Sequence, residues 1–316
     1  MNQKLLKYTM IVFSLMLFLT LTSCANIENK DDGLTKLQVA VSIVPEQAFV
    51  EAVAGDLIDV VVMIPPGGSH TNYQPTPKQM TALGDASVYF AIGVETEIAN
   101  ILPNMNGVNR DIKVVHLEDM VDNIYPARYF GEDEVTLSDT LDANATADKS
   151  DRDHTGRDPH IWMSPKRVII MIEGIRDTLI ELDPVNKLTY TDNAAVYIKE
   201  LEAKDAAIKI AIESLPSKSF VIMHPSLGYF ADEYGLQMLA IEEDGKETTA
   251  KRLESIIDFV KANDIKVIFY QAEFDSQQAK TIAEEIGGES IELDILSLDY
   301  LGNLDVIYTT FTKVLE

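Results

Sequence analysis

The stretch DPVNKLTYTDNAAVYIKELEAKDAAIKIAIESLP, residues 183–216, decides how the rest of the chain is read. Tyr190, Ala194, Tyr197, Leu201, Ile208 and Ile212 recur at three-, four- and seven-residue spacings. That periodicity predicts one apolar stripe on a helix of about 28 residues. Asp183 stands where an N-cap belongs, Pro184 suits a first helical position, and Pro216 ends the run. At a rise of ~1.5 Å per residue such a helix spans about 40 Å, enough to cross a whole domain. Two helices meeting at a kink are the alternative reading of the same residues.

On both sides of this helix the pattern alternates between short β-rich apolar runs and helical periods. Before it, residues 37–44, 58–64, 87–92 and 113–117 read as strands, with helices at 46–54 and 76–83. From Pro165 the helical period dominates to about Ile212. After it, segments at 220–223, 229–234, 237–241, 249–263, 266–270, 276–286 and 290–293 continue the strand–helix series, closed by a helix near 298–315. Strands separated by helices imply βαβ units and parallel sheets. The predicted fold class is α/β: two lobes, each with a central, mostly parallel sheet flanked by helices, joined by the long helix. The lobes are placed at 37–182 and 215–316, with the connection at 183–214. Such an architecture makes a cleft, where ligands bind. Residues 131–158 break the rhythm. They are rich in Asp, Glu, Ser, Thr and Ala with almost no large apolar side chains, and read as a mobile, solvated loop.

The N-terminus carries a second message. Lys4 and Lys7 precede an almost unbroken apolar run over residues 8–21, followed by Leu21-Thr22-Ser23-Cys24. Positive, apolar, then small is the order of a secretory signal peptide, here residues 1–23. The apolar run is short of the ~20 residues that span a membrane. Leu-Thr-Ser-Cys resembles the bacterial lipobox, which implies lipidation of Cys24 and a polar tether over residues 24–36; an uncleaved anchor helix is the other reading. Cys24 is also the single cysteine of the chain. No intramolecular disulfide can form, and a metal site must use His, Asp or Glu. The formal net charge of −25 excludes nucleic acid as a natural partner and suits a cationic ligand.

Five histidines are few enough to weigh singly. His70 follows the strand at 58–64 and the turn Pro65-Pro66-Gly67-Gly68. His224 follows the apolar run 219–223 and precedes Pro225. His160 sits in Asp158-Pro159-His160-Ile161-Trp162, where the acidic flank should keep it near the surface. C-terminal strand edges are where open α/β sheets place ligands. Three imidazoles contributed by both lobes fit one metal ion bridging the cleft, and an oxygen would complete four-coordination. Asp294, just after the strand at 290–293, is the candidate by position. His116 reads as structural, and His154 as exposed in the acidic loop.

Together, Pro65-Pro66-Gly67-Gly68-Ser69-His70-Thr71-Asn72-Tyr73-Gln74-Pro75-Thr76-Pro77, Asp158-Pro159-His160-Ile161-Trp162, His224 with Gly228-Tyr229-Phe230, and Glu292-Leu293-Asp294 resemble the metal-binding solute-binding proteins of ABC importers, the zinc and manganese group. The resemblance runs over residues 37–316. It implies two α/β lobes joined by a rigid helix, with His160, His224 and Asp294 as metal ligands. Manganese and iron binders of that family usually have Glu at the position of His224, so an imidazole there implies zinc. Two departures bear on the ligand set. The usual first ligand lies in His-x-Tyr-x-Pro, whereas His70 stands one residue early relative to Tyr73, leaving water, Asn72 or a carboxylate as alternatives. Ile295 follows Asp294 where the family often has Pro.

The expected function is therefore capture of a divalent transition metal, zinc with manganese or iron as alternatives. The expected partners are a membrane permease and its ATPase, for an extracytoplasmic, lipid-anchored monomer. A secreted zinc hydrolase, with Glu273 as its base, lacks a His-Glu-x-x-His motif. A siderophore or heme binder would call for an aromatic or Arg-rich cleft, and Trp162 is the single tryptophan.

Overall fold

The computed structural model describes residues 36–130, 156–242, 248–274 and 276–316. The expected signal peptide, Cys24, most of the tether, and the acidic segment 131–155 with His154 lie outside the described residues. No described helix is long and apolar enough to cross a membrane.

Among the described residues the strands form two four-stranded sheets, parallel throughout. The first contains β1 (Leu37–Val41), β2 (Ile58–Val62), β3 (Val88–Ala91) and β4 (Lys113–His116) in the order β2-β1-β3-β4. The second contains β5 (Ser219–Ile222), β6 (Gln237–Ala240), β7 (Val267–Gln271) and β8 (Glu289–Leu293) in the order β6-β5-β7-β8. The two lobes thus repeat one topology. All four residues of β3 are buried, as expected of a strand covered by helices on both faces. In each sheet the chain order reverses beside the first strand, which places the ligand crevice at the C-terminal ends of β1 and β3, and of β5 and β7.

Helices α1 (Val44–Ala54), α2 (Pro77–Gly84), α3 (Leu102–Val108) and α4 (Leu117–Asp122) belong to the first lobe, which α5 (Pro165–Leu182) closes. The long helix α6 (Lys187–Glu213) follows, then α7 (Gly228–Tyr234), α8 (Ala250–Ala262), α9 (Ser276–Glu285) and α10 (Tyr300–Leu315). Helix α6 is a single helix of 27 residues that buries Tyr190, Ala194, Leu201, Ile208 and Ile212. It starts three residues later than the Asp183-Pro184 pair suggested, because residues Pro184–Asn186 form a 3₁₀ turn. The Asp183 carboxylate accepts from Asn186 Nδ2 and from the Tyr190 hydroxyl, both at 2.6 Å, and so secures the turn and the first turn of the helix together. Helices α3 and α4 were not anticipated. Pro103, Asn104, Asn106 and Gly107 are poor helix formers, and tertiary burial of Met105 carries α3 instead.

One apolar cluster spans both lobes, beside a smaller separate cluster in each. It joins Val39 and Val41 of β1, the buried face of α6, Phe220 and Ile222 of β5, and Phe311 of α10. Helix α6 packs on α1, α5 and α10. The lobes share a core and are not joined by a solvated linker.

A buried acidic group lies at the C-terminal end of β1. Glu46 Oε2 accepts from the Ser42 and Ile43 amides at 2.9 and 3.0 Å. Glu97 Oε2 accepts from the Ser42 hydroxyl at 2.6 Å and from the Ile92 and Gly93 amides, while Tyr89 OH meets the same Ser42 hydroxyl at 2.5 Å. The second carboxylate oxygens, Glu46 Oε1 and Glu97 Oε1, are buried without a partner. Burial pushes the Glu97 carboxyl from 4.5 up to about 7. Burial, and next the charge of Glu97, pushes Glu46 well above its ordinary value. A raised carboxyl means that the folded chain holds its proton more tightly than the unfolded chain. The Glu97 contribution to stability therefore falls by about 3 kcal/mol as pH rises between 4.5 and about 7, and that contribution levels off above.

Two outcomes follow. In Glu97→Gln, the pH slope of unfolding free energy between pH 5 and 7, measured by urea denaturation, should drop by up to ~1.4 kcal/mol per pH unit; an unchanged slope would contradict the assignment. Leu201→Ala should cost about 2–5 kcal/mol and leave one cooperative transition, whereas separate melting of the lobes would show that the core is not shared.

Candidate metal centre

Residues Pro65 to Gly68 make a tight turn in which Gly68 N donates to Pro65 O at 2.9 Å and Gly67 takes φ +77°. Proline before a positive-φ glycine is the pattern of a type II turn, and it swings the chain from the end of β2 back over the sheet. Thr96 then holds the following loop. Its amide donates to His70 O at 3.0 Å, and its hydroxyl accepts from Tyr73 N at 2.9 Å. The extra residue between His70 and Tyr73 is absorbed in this loop, and the His70 ring is fully buried.

His160 follows the bridge between Tyr129 and Arg157 and opens a short 3₁₀ turn, Ile161–Met163. The expectation that the acidic flank keeps it near the surface is not met: its exposure is 0%. Trp162 is the reason. Its indole, itself fully buried, donates to Ile295 O at 2.8 Å, and Tyr300 OH donates to Trp162 O at 2.7 Å, so the motif is drawn into the interface with the second lobe. His224 leaves the end of β5 and is 1% exposed. Gln271, at the end of neighbouring β7, donates to His224 O and to the Ser226 hydroxyl, fixing that strand end.

The three rings converge. His70 Nε2 and His160 Nε2 are 2.9 Å apart, and ring centroids of all three pairs lie 4.9–5.6 Å apart. Among the described residues this is the group able to offer three metal-ligand atoms, all within 4.8 Å of one another. Tetrahedral zinc with bonds of 2.0–2.1 Å sets its ligand nitrogens about 3.3 Å apart, so the arrangement needs only a small adjustment to receive an ion.

Second partners select the nitrogen that His160 and His224 offer, whereas His70 Nδ1 is buried without a partner. Asp158 Oδ1 lies 2.7 Å from His160 Nδ1 and accepts from the His160 amide, which turns Nε2 inward. Glu242 Oε2 lies 2.9 Å from His224 Nδ1, leaving His224 Nε2 buried with no hydrogen-bond partner. A buried, unpartnered imidazole nitrogen costs free energy unless something fills its lone pair. A cation does so. The protonation state fits as well. Burial, then the neighbouring His160 and His224, holds His70 well below the usual imidazole value. Burial lowers His224 too, against the opposing pull of Glu242. Burial alone would raise the Asp158 carboxyl, but His160 and then Arg128 outweigh it and keep it low, hence ionised. Neutral imidazoles backed by carboxylates are the form that binds metal.

Asp294 follows β8 as expected but lies outside the three-ring group. It is exposed, its Oδ1 accepts from Leu296 N at 2.9 Å, and its carbonyl accepts from Asn303 Nδ2. His116 is also apart, paired with Glu118 at 2.8 Å. Sequence reasoning missed Thr96, Glu242 and Phe274, whose ring stacks on His224 at 4.4 Å and 19°. A threonine at a helix start and a glutamate and a phenylalanine in loops carry no motif, so nothing in the one-dimensional pattern singles them out.

A crystal structure of a zinc-bound ZnuA deletion mutant superposes with a TM-score of 0.77 at 31% identity, covering 89% of this chain and 98% of that one. The zinc-binding lipoprotein AdcA of Streptococcus pneumoniae is 31% identical over 290 residues, 88% of this chain. This chain spans about half of AdcA, 52% of its length. The high-affinity zinc uptake system protein ZnuA of Bacillus subtilis is 26% identical over 286 residues, 88% of this chain and 85% of that protein. Residues 39–314 match the family model described as zinc-uptake complex component A, periplasmic, and the chain belongs to that family.

Proposed function

We propose that this protein is the extracytoplasmic solute-binding component of an ABC importer. It captures Zn²⁺ between its lobes and delivers the ion to a membrane permease driven by an ATPase. The observation that carries the reading is the buried triad of His70, His160 and His224, contributed by both lobes and leaving His70 Nδ1 and His224 Nε2 without a partner. Zinc is cargo here, and the protein is a carrier rather than an enzyme. Nitrogen-rich, carboxylate-backed sites suit zinc better than the harder manganese ion. The rings of Trp162 and Phe274 crowd the same space, which leaves room for an ion and not for a siderophore or heme.

The fourth ligand is an oxygen. Asp294 is the residue proposed for it, reaching the ion once its turn with Leu296 opens; water is the alternative donor. Anchoring through lipidated Cys24 after removal of residues 1–23, a polar tether over 24–36, lobes at 37–182 and 215–316, and a monomeric state complete the proposal.

Competition titrations with Zn²⁺ and Mn²⁺ on the mature chain test it. Stoichiometric zinc binding should exceed manganese binding in affinity. His160→Ala and His224→Ala should each weaken zinc by more than the ~100-fold upper range for loss of an outer partner. Equal affinities in both variants and the parent would reject the site. Asp294→Asn should weaken zinc if the carboxylate is the oxygen ligand, and an unchanged affinity would assign that position to water.

A further inference from the structure

Arg128 sits between the lobes with 6% of its side chain exposed. Its Nη1 donates to Asp158 Oδ2 at 3.2 Å and its Nε donates to Asp232 Oδ2 at 3.0 Å. Asp158 is the fully buried carboxylate that orients His160, in the first lobe. Asp232 is on α7, the helix of the second lobe that begins four residues after His224. The guanidinium lies flat against Gly228, where an added Cβ would stand 2.5 Å from its Cζ and Nη1. The backbone is tied in as well. Arg128 N donates to Tyr229 OH at 3.0 Å, Tyr229 OH donates to Asp158 O at 3.1 Å, and Asp158 N donates to Arg128 O at 2.9 Å. A continuous series of contacts therefore runs from Asp232 through Arg128 and Asp158 to the ring of His160.

We propose that Arg128 is a positioning residue that couples the seating of the second lobe's α7 to the orientation of His160, so that the ion and the Arg128–Asp232 pair stabilise one another. The inference rests on the metal reading above. A guanidinium is a planar fork whose nitrogens hold two carboxylates at once in fixed directions, which an ammonium cannot do. Seating α7 aims the fork, the fork fixes Asp158, and Asp158 fixes the imidazole that offers Nε2. An ion that binds His160 and His224 together favours the same seating. By reciprocity, weakening the Asp232 contact must loosen the ion. Gly228 is then required because any side chain would push the guanidinium off α7.

Charge alone would act differently on the two partners: losing the Arg128 cation would favour another cation, and losing the Asp232 carboxylate would disfavour one. Arg128→Lys, which leaves the charge unchanged, separates geometry from charge, and Asp232→Asn tests the coupling through the double variant. Arg128→Lys keeps the charge and loses the fork, while Asp232 is 40% exposed, so its change to Asn should leave the fold intact. Three quantities are read on the mature full chain: the zinc dissociation rate with a chelator, the ligand-field spectrum of bound Co²⁺, and melting without metal. Each variant should release zinc on the order of 10-fold faster, the range for outer partners of metal-ligating histidines. Each should also shift the Co²⁺ bands, and the double variant should be little worse than either single one. Variants that melt lower without metal, yet keep the parent's release rate and Co²⁺ spectrum, would reduce Arg128 to a structural crosslink and overturn the inference. Additive effects in the double variant would also overturn it. A parent chain that binds neither ion would overturn the metal reading itself.

Discussion

The shared apolar core between the lobes is the constraint on which the rest depends. Because Val39, Leu201, Ile208, Phe220 and Phe311 belong to one packed cluster, the strand ends of the two sheets are held at fixed separation. A packed interior does not deform smoothly. The three imidazoles are therefore presented at nearly the spacing that an ion requires before the ion arrives, and little ordering remains to oppose binding. In the proposed reading the same rigidity would limit how an ion leaves. With the lobes cored together, release would depend on local contacts: the Phe274 ring over His224, the proposed reach of Asp294, and the carboxylates that aim His160 and His224.

Those carboxylates give the site its polarity. His160 and His224 each lean on an acidic partner through Nδ1, but the two partners differ. Asp158 is fully buried and further bound by Arg128, whereas Glu242 is part-buried. Both rings are buried, and the difference lies in their partners: Asp158 is locked in the interior and Glu242 reaches toward solvent. On the proposed function, a carrier must bind tightly and still surrender its cargo, and unequal outer partners would provide a firm side and a yielding side.

Much of this was legible in the sequence. The apolar spacing of Tyr190, Ala194, Leu201, Ile208 and Ile212 gave the long helix because each falls on the buried face. His70 and His224 were found by their places after β2 and β5, where parallel sheets end. Burial of His160 was not legible, because it comes from Trp162 reaching Ile295, a contact 133 residues away. The same holds for Thr96 at His70, Glu242 at His224 and Arg128 across the lobes: each is a loop or helix-flank residue whose role exists only after the halves have packed. The position of Asp294 after β8 was foreseen, but its engagement with Leu296 is a local turn preference that strand periodicity does not encode.

The most direct test is a crystal structure of the mature protein with zinc, with anomalous data collected on both sides of the zinc edge. The account predicts one strong peak between the lobes, about 2.0–2.1 Å from a ring nitrogen of each of His70, His160 and His224. A peak bound to only one of these rings, or one located elsewhere on the acidic surface, would contradict it.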